Sequence, residues 1–417
     1  MADDLEAYFQ RFQTAVAGHW AKDLSTLMSS NGQSLIKIVK SLHAVRLGDT
    51  DTVFRIARKT VADKMWRDVA VYCWKVSYSI HVALDIMAAY REQNSLTQLL
   101  NRIAERTDKW ILPVVYTVTQ ELRIIAMEAD HYIEDRMSGS SASNSAKPNK
   151  LEEAARTINR TLTVCLNDRN SSMPNSRKWG VYFIISLLFK IYFKLGTISL
   201  ATSVVRVLNA STAAGDIPSV EEYPKAHMVT FKYYVGILAF MDEEYEKAEE
   251  HLHAALNNCH KRATRNQELI LQYLLPTHLL LHRRYPSKAV WRTFPRLQII
   301  YEELFTASKR GDMRTYEVAL AARERLFVTR RIYLTMLKIR TKIVRPRLFE
   351  QVYLASDKST RVPVSAFRKG LEFVGIDVDD DQVECWAAVM IYQGQMKGYI
   401  SRERKTIVLS NNDPFPR

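Results

Sequence analysis

The chain has 417 residues, which is enough for more than one domain and a large buried core. Its 13 glycines and 12 prolines are too few for a turn-rich β architecture, so helices are expected to dominate. Lysine and arginine outnumber aspartate and glutamate by 59 to 45, a net charge of +14. A surplus of this size suggests a polyanionic partner, either nucleic acid or an acidic protein.

The cysteines and the N-terminal segment bear on the compartment. Cys73, Cys165, Cys259 and Cys385 lie far apart and form no CxxC pair, so zinc-ribbon and disulfide-framework interpretations lack support. The first residues, "MADDLEAYFQ", are acidic and amphipathic, unlike a secretory signal or an organellar transit peptide. The sequence therefore predicts a reducing compartment, the nucleus or the cytoplasm.

Helical periodicity recurs along most of the chain. Three apolar stripes in the first third each predict one helix face, and the third helix is entered through Pro113: Leu5, Phe9, Phe12 and Val16; Leu35, Ile38, Val39 and Leu42; Leu112, Val115, Leu122 and Ile125. Two stretches rich in serine, asparagine and proline predict loops between helices, a flexible one at residues 138–150 and a shorter one at 167–178.

The most apolar stretch is "KWGVYFIISLLFKIYFKLG", residues 178–196. A membrane span needs about 20 predominantly apolar residues, whereas this run is interrupted by Lys190 and again by Lys194. Ser186, Lys190 and Lys194 are spaced four apart and are predicted to form one narrow polar stripe. We therefore predict a helix packed between other helices and no membrane partner.

A tetratricopeptide-like pattern lies within residues 229–262. Gly236, Tyr245, Ala248, Leu252 and Ala255 have the spacing of such a repeat, in which small residues let two helices approach closely. Helical patterns flank this segment on both sides, as expected for an α-solenoid.

Four potential metal ligands, His251, His253, Cys259 and His260, fall in the same segment. Two histidines at i and i+2 point to different sides of a helix, so these four side chains cannot converge on one ion. The proline after the histidine pair and the downstream Ser-x-x-Asp of a zinc peptidase motif are also missing. We therefore predict no metal site here.

The last 60 residues read as two helices followed by a β-hairpin. Val383, Trp386, Ala387, Met390 and Ile391 form a core-facing helical stripe, and "KGYIS" and "TIVLS" are short β-type runs on either side of a charged loop. This order is typical of a winged helix. The acidic stretch at 377–381 lacks the glycine and glutamate of a calcium loop, so it is predicted to cap the following helix.

The segments "KWGVYFIISLLFKIYFKLG", "VTFKYYVGILAFMDEEYEKAEEHLHAAL", "RNQELILQYLLP", "KRGDMRTYEVAL" and "MKGYISRERKTIVLSNNDPFP" together resemble PCI-domain proteins. The chain is similar to the signalosome subunit twelve homologues and to their paralogue, the PCI subunit of the nuclear-pore mRNA-export (TREX-type) complex. The resemblance covers roughly residues 110–417. These segments are more similar to the signalosome-type branch than to the export-type branch.

This resemblance implies an all-α scaffold, a solenoid of tetratricopeptide-like repeats followed by a winged helix with a small β-hairpin. The expected domains are N-terminal repeats at 1–177, including the loop at 138–150, PCI-domain repeats at 178–355 and a winged helix at 356–417. The implied partners are a larger PCI-type protein and a small acidic subunit shared with the proteasome lid. The implied role is nuclear: transcription elongation, mRNA maturation and export.

The basic charge is concentrated in residues 323–347, where nine lysines and arginines accompany one acid, Glu324: Arg323, Arg325, Arg330, Arg331, Lys338, Arg340, Lys342, Arg345 and Arg347. Such a surface would bind phosphates in a salt-dependent, mostly sequence-independent way. The predicted RNA- or DNA-binding set, which includes the winged helix, is Lys342, Arg345, Arg347, Arg361, Arg368, Lys369, Lys397, Arg402, Arg404 and Lys405. Tyr353 or Tyr399 could add base stacking.

Three alternatives stay open for this basic surface: nucleic-acid binding, docking of the acidic subunit, and a solvated helix face. A competing hypothesis for the whole chain is an architectural subunit of a signalosome or proteasome-lid-like assembly that binds no nucleic acid. No GxxxxGK[ST], GxGxxG or GxSxG motif and no recognisable cysteine nucleophile occurs. We therefore predict no enzymatic activity, no cofactor and no small-molecule substrate.

Overall fold

The computed structural model describes residues 2–44, 50–138, 149–170 and 172–416. These residues form mostly α-helices with one small three-stranded sheet, which confirms the predicted helical repeats followed by a winged helix. The chain divides into two compact units, residues 1–231 and 232–417. The domain boundaries at 177 and 355 stay predictions. Most of the predicted loop at 138–150, residues 139–148, lies outside the described residues.

In the N-terminal unit, consecutive helices pack on one another, as α-solenoid patterning predicts. The helices in order are α1 (Ala2–Ala17), α2 (Ala21–Met28), α3 (Gln33–Ala44), α4 (Thr50–Thr60), α5 (Lys64–His81), α6 (Ile86–Ala104), α7 (Leu112–Ser138), α8 (Lys150–Leu166), α9 (Val181–Leu195) and α10 (Ile198–Ala213). The helix α11 (Lys225–Met241) contains the boundary between the units.

The three apolar stripes predicted for this unit are confirmed. All of their residues are buried except Val16 and Ile38, which are partly buried. The apolar helix is α9, which ends at Gly196 in a left-handed conformation. Lys190 and Lys194 are exposed, but Ser186 is buried and donates a hydrogen bond to the Tyr182 carbonyl at 2.7 Å. The predicted polar stripe is therefore wrong at Ser186, whose hydroxyl is satisfied within the helix. No helix in the described residues has the length and apolar character needed to cross a membrane.

The segment between α8 and α9, predicted as a loop, is organised around a buried ion pair. The Arg177 Nη2 lies 3.0 Å from Asp168 Oδ1, and both side chains are buried. Asp168 also accepts hydrogen bonds from the Ser176 hydroxyl at 2.8 Å and the Arg177 backbone N–H at 2.7 Å. The Arg177 guanidinium in turn donates to the carbonyl of Ala104, the last residue of α6, and to that of Thr107, just after the helix, at 2.9 Å. The pair thus ties this segment to the α6–α7 connection.

The C-terminal unit continues the helical repeats and closes with the winged helix. Its further helices are α12 (Tyr245–Asn258), α13 (Thr264–His282), α14 (Lys288–Thr293), α15 (Pro295–Arg310), α16 (Met313–Ala322), α17 (Glu324–Thr329), α18 (Tyr333–Ile339), α19 (Arg345–Ala355), α20 (Val364–Phe373) and α21 (Asp380–Tyr392). Its strands are β1 (Arg361–Pro363), β2 (Gly398–Ser401) and β3 (Thr406–Leu409).

The tetratricopeptide-like pattern corresponds to α11 and α12. A Cβ atom at Gly236 would lie 2.8 Å from Leu252 Cγ, closer than real Cβ contacts allow. Tyr245, Ala248, Leu252 and Ala255 are buried along α12. The close approach of the two helices therefore depends on the small residue that the sequence pattern singled out.

One helical segment runs without a break from residue 333 to residue 355, through α18, a π-helical turn at Arg340–Val344 and α19. Pro346 has no N–H to donate to the carbonyl of Lys342, so regular α-helical bonding is interrupted here. The Arg345 N–H instead bonds the Arg340 carbonyl, five residues back. This π turn was not predicted from the sequence.

The Asp168–Arg177 pair predicts a pH-dependent stability of the N-terminal unit. Burial alone would raise the pKa of Asp168, but hydrogen bonds from Ser176, Arg177 and Asn170 and the Arg177 charge lower it below the ordinary 3.8. Because the folded-state pKa is depressed, the pair's stabilisation is present above pH 3.8 and is lost as the pH falls through the lower folded pKa. Chemical denaturation as a function of pH should show this loss.

We expect Asp168→Asn to lower the free energy of unfolding of this unit by about 3–5 kcal/mol at neutral pH, because it leaves the buried Arg177 charge unpaired. The matched control is Glu152→Gln, which breaks an exposed pair with Arg156 and should cost less than about 1 kcal/mol. Equal effects of the two substitutions, or an unchanged acid slope in Asp168→Asn, would contradict this account.

Candidate nucleic-acid interface

The winged helix is assembled in the order α19, β1, α20, α21, β2, β3. The sheet order is β1-β3-β2 and both pairings are antiparallel, so the predicted hairpin of β2 and β3 is confirmed and β1 adds a third strand. Val383, Ala387 and Met390 of α21 are buried, as predicted, and Phe367 of α20 stacks on Phe349 of α19 at 4.8 Å. Asp379 caps α21 by accepting a hydrogen bond from the Gln382 N–H, which confirms the capping role of the acidic stretch.

Three of the nine cations in the basic cluster at residues 323–347 pair with acids at least 20 positions away in the sequence. Arg323 contacts Glu303 at 2.9 Å and Arg340 contacts Glu317 at 3.3 Å. Lys338 pairs with Glu243 and lies over the Tyr245 ring. The sequence of the cluster itself contains one acid, Glu324. The three pairs formed on folding therefore offset part of its remaining positive charge.

Arg345 is a packing residue within the winged helix. Its guanidinium carbon lies 4.0 Å from the centroid of the Trp386 ring on α21. Burial, followed by the charge of Arg340, lowers the pKa of Arg345. A half-buried cation stacked on an indole is held by a cation–π contact and is poorly placed to reach a phosphate.

Two further members of the predicted set are held by nearby acids. The Arg347 guanidinium lies 2.6 Å from Glu350 and donates to the Lys309 carbonyl at 3.2 Å. Arg368 lies 3.3 Å from Glu372 and 3.2 Å from Asp380. These partly covered pairs link neighbouring segments of the C-terminal unit and leave little free charge for a ligand.

The remaining seven predicted cations are exposed. Within the described part of the chain, no acidic side chain pairs with Lys342, Arg361, Lys369 or Arg404. Three others have only distant surface partners: Lys397 lies 3.5 Å from Asp413, Arg402 lies 3.9 Å from Glu384, and Lys405 lies 4.0 Å from Asp380. Such surface pairs are weak and are easily exchanged for a phosphate.

Four of the exposed cations, Arg361, Arg402, Arg404 and Lys405, lie on the sheet or its turn, whereas Lys342 lies in the π turn and Lys369 on α20. Arg361 on β1 and Tyr399 on β2 both stand opposite Val408 of the central strand, so the two side chains emerge on one face. Tyr399 is 63% exposed, whereas Tyr353 is partly buried with its ring 5.8 Å from that of Phe415. Of the two predicted stacking residues, Tyr399 is the accessible one. The turn that carries Arg402, Arg404 and Lys405 continues this surface.

Two exposed aromatic residues of the winged helix were not predicted as site residues. Phe373 at the end of α20 is 90% exposed, and Tyr392 at the end of α21 is 92% exposed. The signal for Tyr392 was present in the sequence, since it lies two positions after the buried Met390 and thus on the opposite side of the helix. Exposed aromatic side chains are typical of protein-binding surfaces.

Comparison with known proteins gives a consistent result. Residues 313–411 match the PCI domain family. The chain is 42% identical over 318 residues to Protein CSN12 homolog of Yarrowia lipolytica, covering 76% of this chain and 78% of that protein. Protein CSN12 homolog of Schizosaccharomyces pombe is 34% identical, with 99% of this chain and 97% of that protein covered. PCI domain-containing protein 2 of Xenopus laevis is 34% identical, with 80% of each covered.

The two kinds of arginine should respond differently to truncation. We expect Arg345→Leu to lower the free energy of unfolding of the C-terminal unit by about 2 kcal/mol, because it removes a desolvated cation–π contact. Arg404→Leu removes an exposed side chain and should change that free energy by no more than about 0.5 kcal/mol. Chemical denaturation of both variants measures the difference, and similar losses would show that Arg345 is not a packing residue.

Proposed function

The chain belongs to the family of the CSN12 homologues and contains a PCI domain, and from this we propose that it is a non-enzymatic scaffold subunit with a nucleic-acid-binding winged helix. In this proposal it pairs with a larger PCI-type protein and a small acidic subunit. The assembly acts in the nucleus, in transcription-coupled mRNA maturation and export.

The observation that carries the nucleic-acid part is the set of exposed cations on the winged helix. Arg361, Lys369 and Arg404 have no acidic partner among the described residues, and the neighbouring wing residues Arg402 and Lys405 are only loosely paired. Tyr399 lies on the same face of the sheet as Arg361, with the central strand between them, and offers a π-face on which an unpaired base can stack. Cations that attract phosphates beside an aromatic platform favour single-stranded RNA or DNA over base-specific duplex reading.

The exposed face of α21 supports the same preference. Gln382, Cys385, Ala388, Val389 and Tyr392 are exposed and uncharged. A helix that enters the major groove usually presents arginine, lysine or amides to the base edges, whereas this face is mainly small or apolar. We therefore assign phosphate contact to the sheet and its turn, and protein contact to this helix face.

The test compares RNA binding of charge-matched variants of the full chain. We expect the triple variant Arg361→Glu, Lys369→Glu, Arg404→Glu to bind single-stranded RNA more weakly. The slope of log affinity against log salt should fall by about 2, since each lost phosphate contact removes about 0.7. Fluorescence anisotropy at several salt concentrations measures both quantities.

The control carries the same charge change at three exposed arginines outside the winged helix, Arg265→Glu, Arg292→Glu and Arg296→Glu. It should keep nearly the wild-type salt slope. If both triple variants lose affinity equally, binding follows net charge alone, and if neither does, the nucleic-acid function is wrong.

A second candidate function is an architectural subunit of a signalosome or proteasome-lid-like assembly. The exposed Phe373 and Tyr392 favour it, because buried aromatic anchors dominate many protein interfaces. Strand β2 is also an edge of the sheet, and edge strands can pair with another chain. The two candidate functions are compatible if the sheet and its turn bind nucleic acid while the exposed face of α21 docks on a protein.

Affinity purification with mass spectrometry after nuclease treatment tests the second candidate. We expect Phe373→Ser with Tyr392→Ser to reduce recovery of protein partners by about tenfold or more, the usual cost of losing one or two interface anchors. Ile299→Ser, at a residue that is 73% exposed in α15, is the matched control and should retain them. Unchanged recovery from the double variant would remove this helix face as the docking surface.

A further inference from the structure

Three potential metal ligands, Glu249, His253 and His278, converge between two neighbouring helices of the C-terminal unit, and His282 contacts Glu249 beside them. Glu249 and His253 are spaced i, i+4 on α12, and His278 and His282 are spaced i, i+4 on α13. This spacing places each pair on one face of its helix, and the two faces meet because α12 packs on α13. No other group of three or more such ligands meets in this way within the described residues.

The side chains are directed at a common point. The Nε2 atoms of His253 and His278 lie 2.8 Å apart, and His278 Nε2 lies 3.1 Å from Glu249 Oε1. His282 Nε2 lies 2.8 Å from Glu249 Oε2 and 3.0 Å from Oε1. His253 Nε2 lies 3.8 Å from Glu249 Oε1. Three imidazole nitrogens of the same type thus surround one carboxylate.

These separations approach those of a tetrahedral metal site. Ligand atoms about 2.0–2.1 Å from a zinc ion are separated from each other by about 3.3 Å. Glu249, His253 and His278 therefore need only small rotamer adjustments to place one atom each around a central cation. These three side chains are also partly exposed, so an ion can enter from solvent.

Hydrogen bonding alone accounts poorly for the cluster. Two neutral imidazoles that face each other through Nε2 share a single proton in that contact, so one nitrogen must act as acceptor. That nitrogen then has no proton to donate to Glu249. A central cation would instead bind a lone pair from each imidazole and one from the carboxylate at the same time.

We propose that Glu249, His253 and His278 form a binding site for a zinc-type divalent ion that fixes α12 against α13, with His282 bonded to the Glu249 carboxylate. Imidazole nitrogen favours zinc and its transition-metal neighbours over magnesium or calcium, which prefer oxygen ligands. Three protein ligands leave one position of a tetrahedral shell to a water molecule. Because the ligands come from two packed helices, we assign the ion a structural role.

The site extends beyond the scaffold role proposed above and is tested separately from it. Full-length protein freed of metal with a chelator is titrated with Zn²⁺ by calorimetry, and with Co²⁺ by visible absorption. We expect one equivalent of Zn²⁺ to bind, the melting temperature to rise, and Co²⁺ to give the absorption of a low-coordinate site. Wild-type protein that binds no stoichiometric Zn²⁺ overturns the proposal.

The variants are Glu249→Gln, which keeps the shape of the side chain, and the pair His253→Asn with His278→Asn. Each should weaken Zn²⁺ binding by more than about 100-fold, since even outer-shell changes cost about 10- to 100-fold. His251→Asn is the matched control, because His251 is on the same helix but outside the cluster. This variant should bind Zn²⁺ as tightly as the wild type.

Circular dichroism of the metal-free variants shows whether each one folds, and Glu249→Gln is the variant least expected to disturb the helices. Folded variants that bind Zn²⁺ as tightly as wild type would overturn the proposal. So would a control that loses binding as they do, since the ion would then be held elsewhere. RNA affinity is measured on the same samples, so that failure of the metal site and failure of the nucleic-acid function are distinguished.

Discussion

The contact between Arg345 and Trp386 is the interaction on which the arrangement of the winged helix depends. Arg345 follows the π turn at the start of α19, and Trp386 lies midway along α21, so one side chain connects the helical repeats to the centre of the winged helix. The guanidinium stacks on the indole and its Nε is buried without a hydrogen-bond partner among the described residues. Such a cation is retained because its attraction to the ring offsets its lost hydration.

Because Arg345 packs on Trp386, its charge is not available to a ligand. The charge that a ligand can reach comes from the cations that folding leaves unpaired. Three acids from earlier in the chain, Glu243, Glu303 and Glu317, pair with three cations of the cluster. Within the predicted contact set, the unpaired or weakly paired cations are then Arg361, Arg402, Arg404 and Lys405 on the sheet and its turn, and Lys342, Lys369 and Lys397 outside it. A surface with few but unpaired cations exchanges counterions for phosphates more readily than a larger surface that is already neutralised.

The sequence predicted the fold well and the site only in part, and the reason is physical. Apolar periodicity and the small Gly236 are local properties, so they identified the helices, the repeat and the hairpin. Strand β1 was missed because its three residues end in Pro363, which weakens any strand pattern. Which cations are free depends on acids 20 to 95 positions away in the chain, as with Arg323 and Glu303 or Lys338 and Glu243. Local charge counting cannot detect these partners.

The histidine cluster illustrates the same limit. Within α12 alone, His251 and His253 point to different sides, and Cys259 is buried away from the pair, so the segment by itself predicts no metal site. The convergence arises only when α13 brings His278 against Glu249 and His253. Pairs of ligands four positions apart on each of two adjacent helices would have been the signal to search for.

The π turn at Arg340–Val344 has a consequence for how this architecture tolerates insertions and deletions. Each residue of an α-helix advances the chain by about 100° around the axis, so the extra residue of the turn sets the rotational phase of everything after it. Removal of one residue between 340 and 344 would restore regular α-helical phasing and swing Arg345 away from Trp386. The length of this one turn therefore sets the direction in which the β2–β3 hairpin faces. Relatives that differ by one residue here would present a different surface to their ligands.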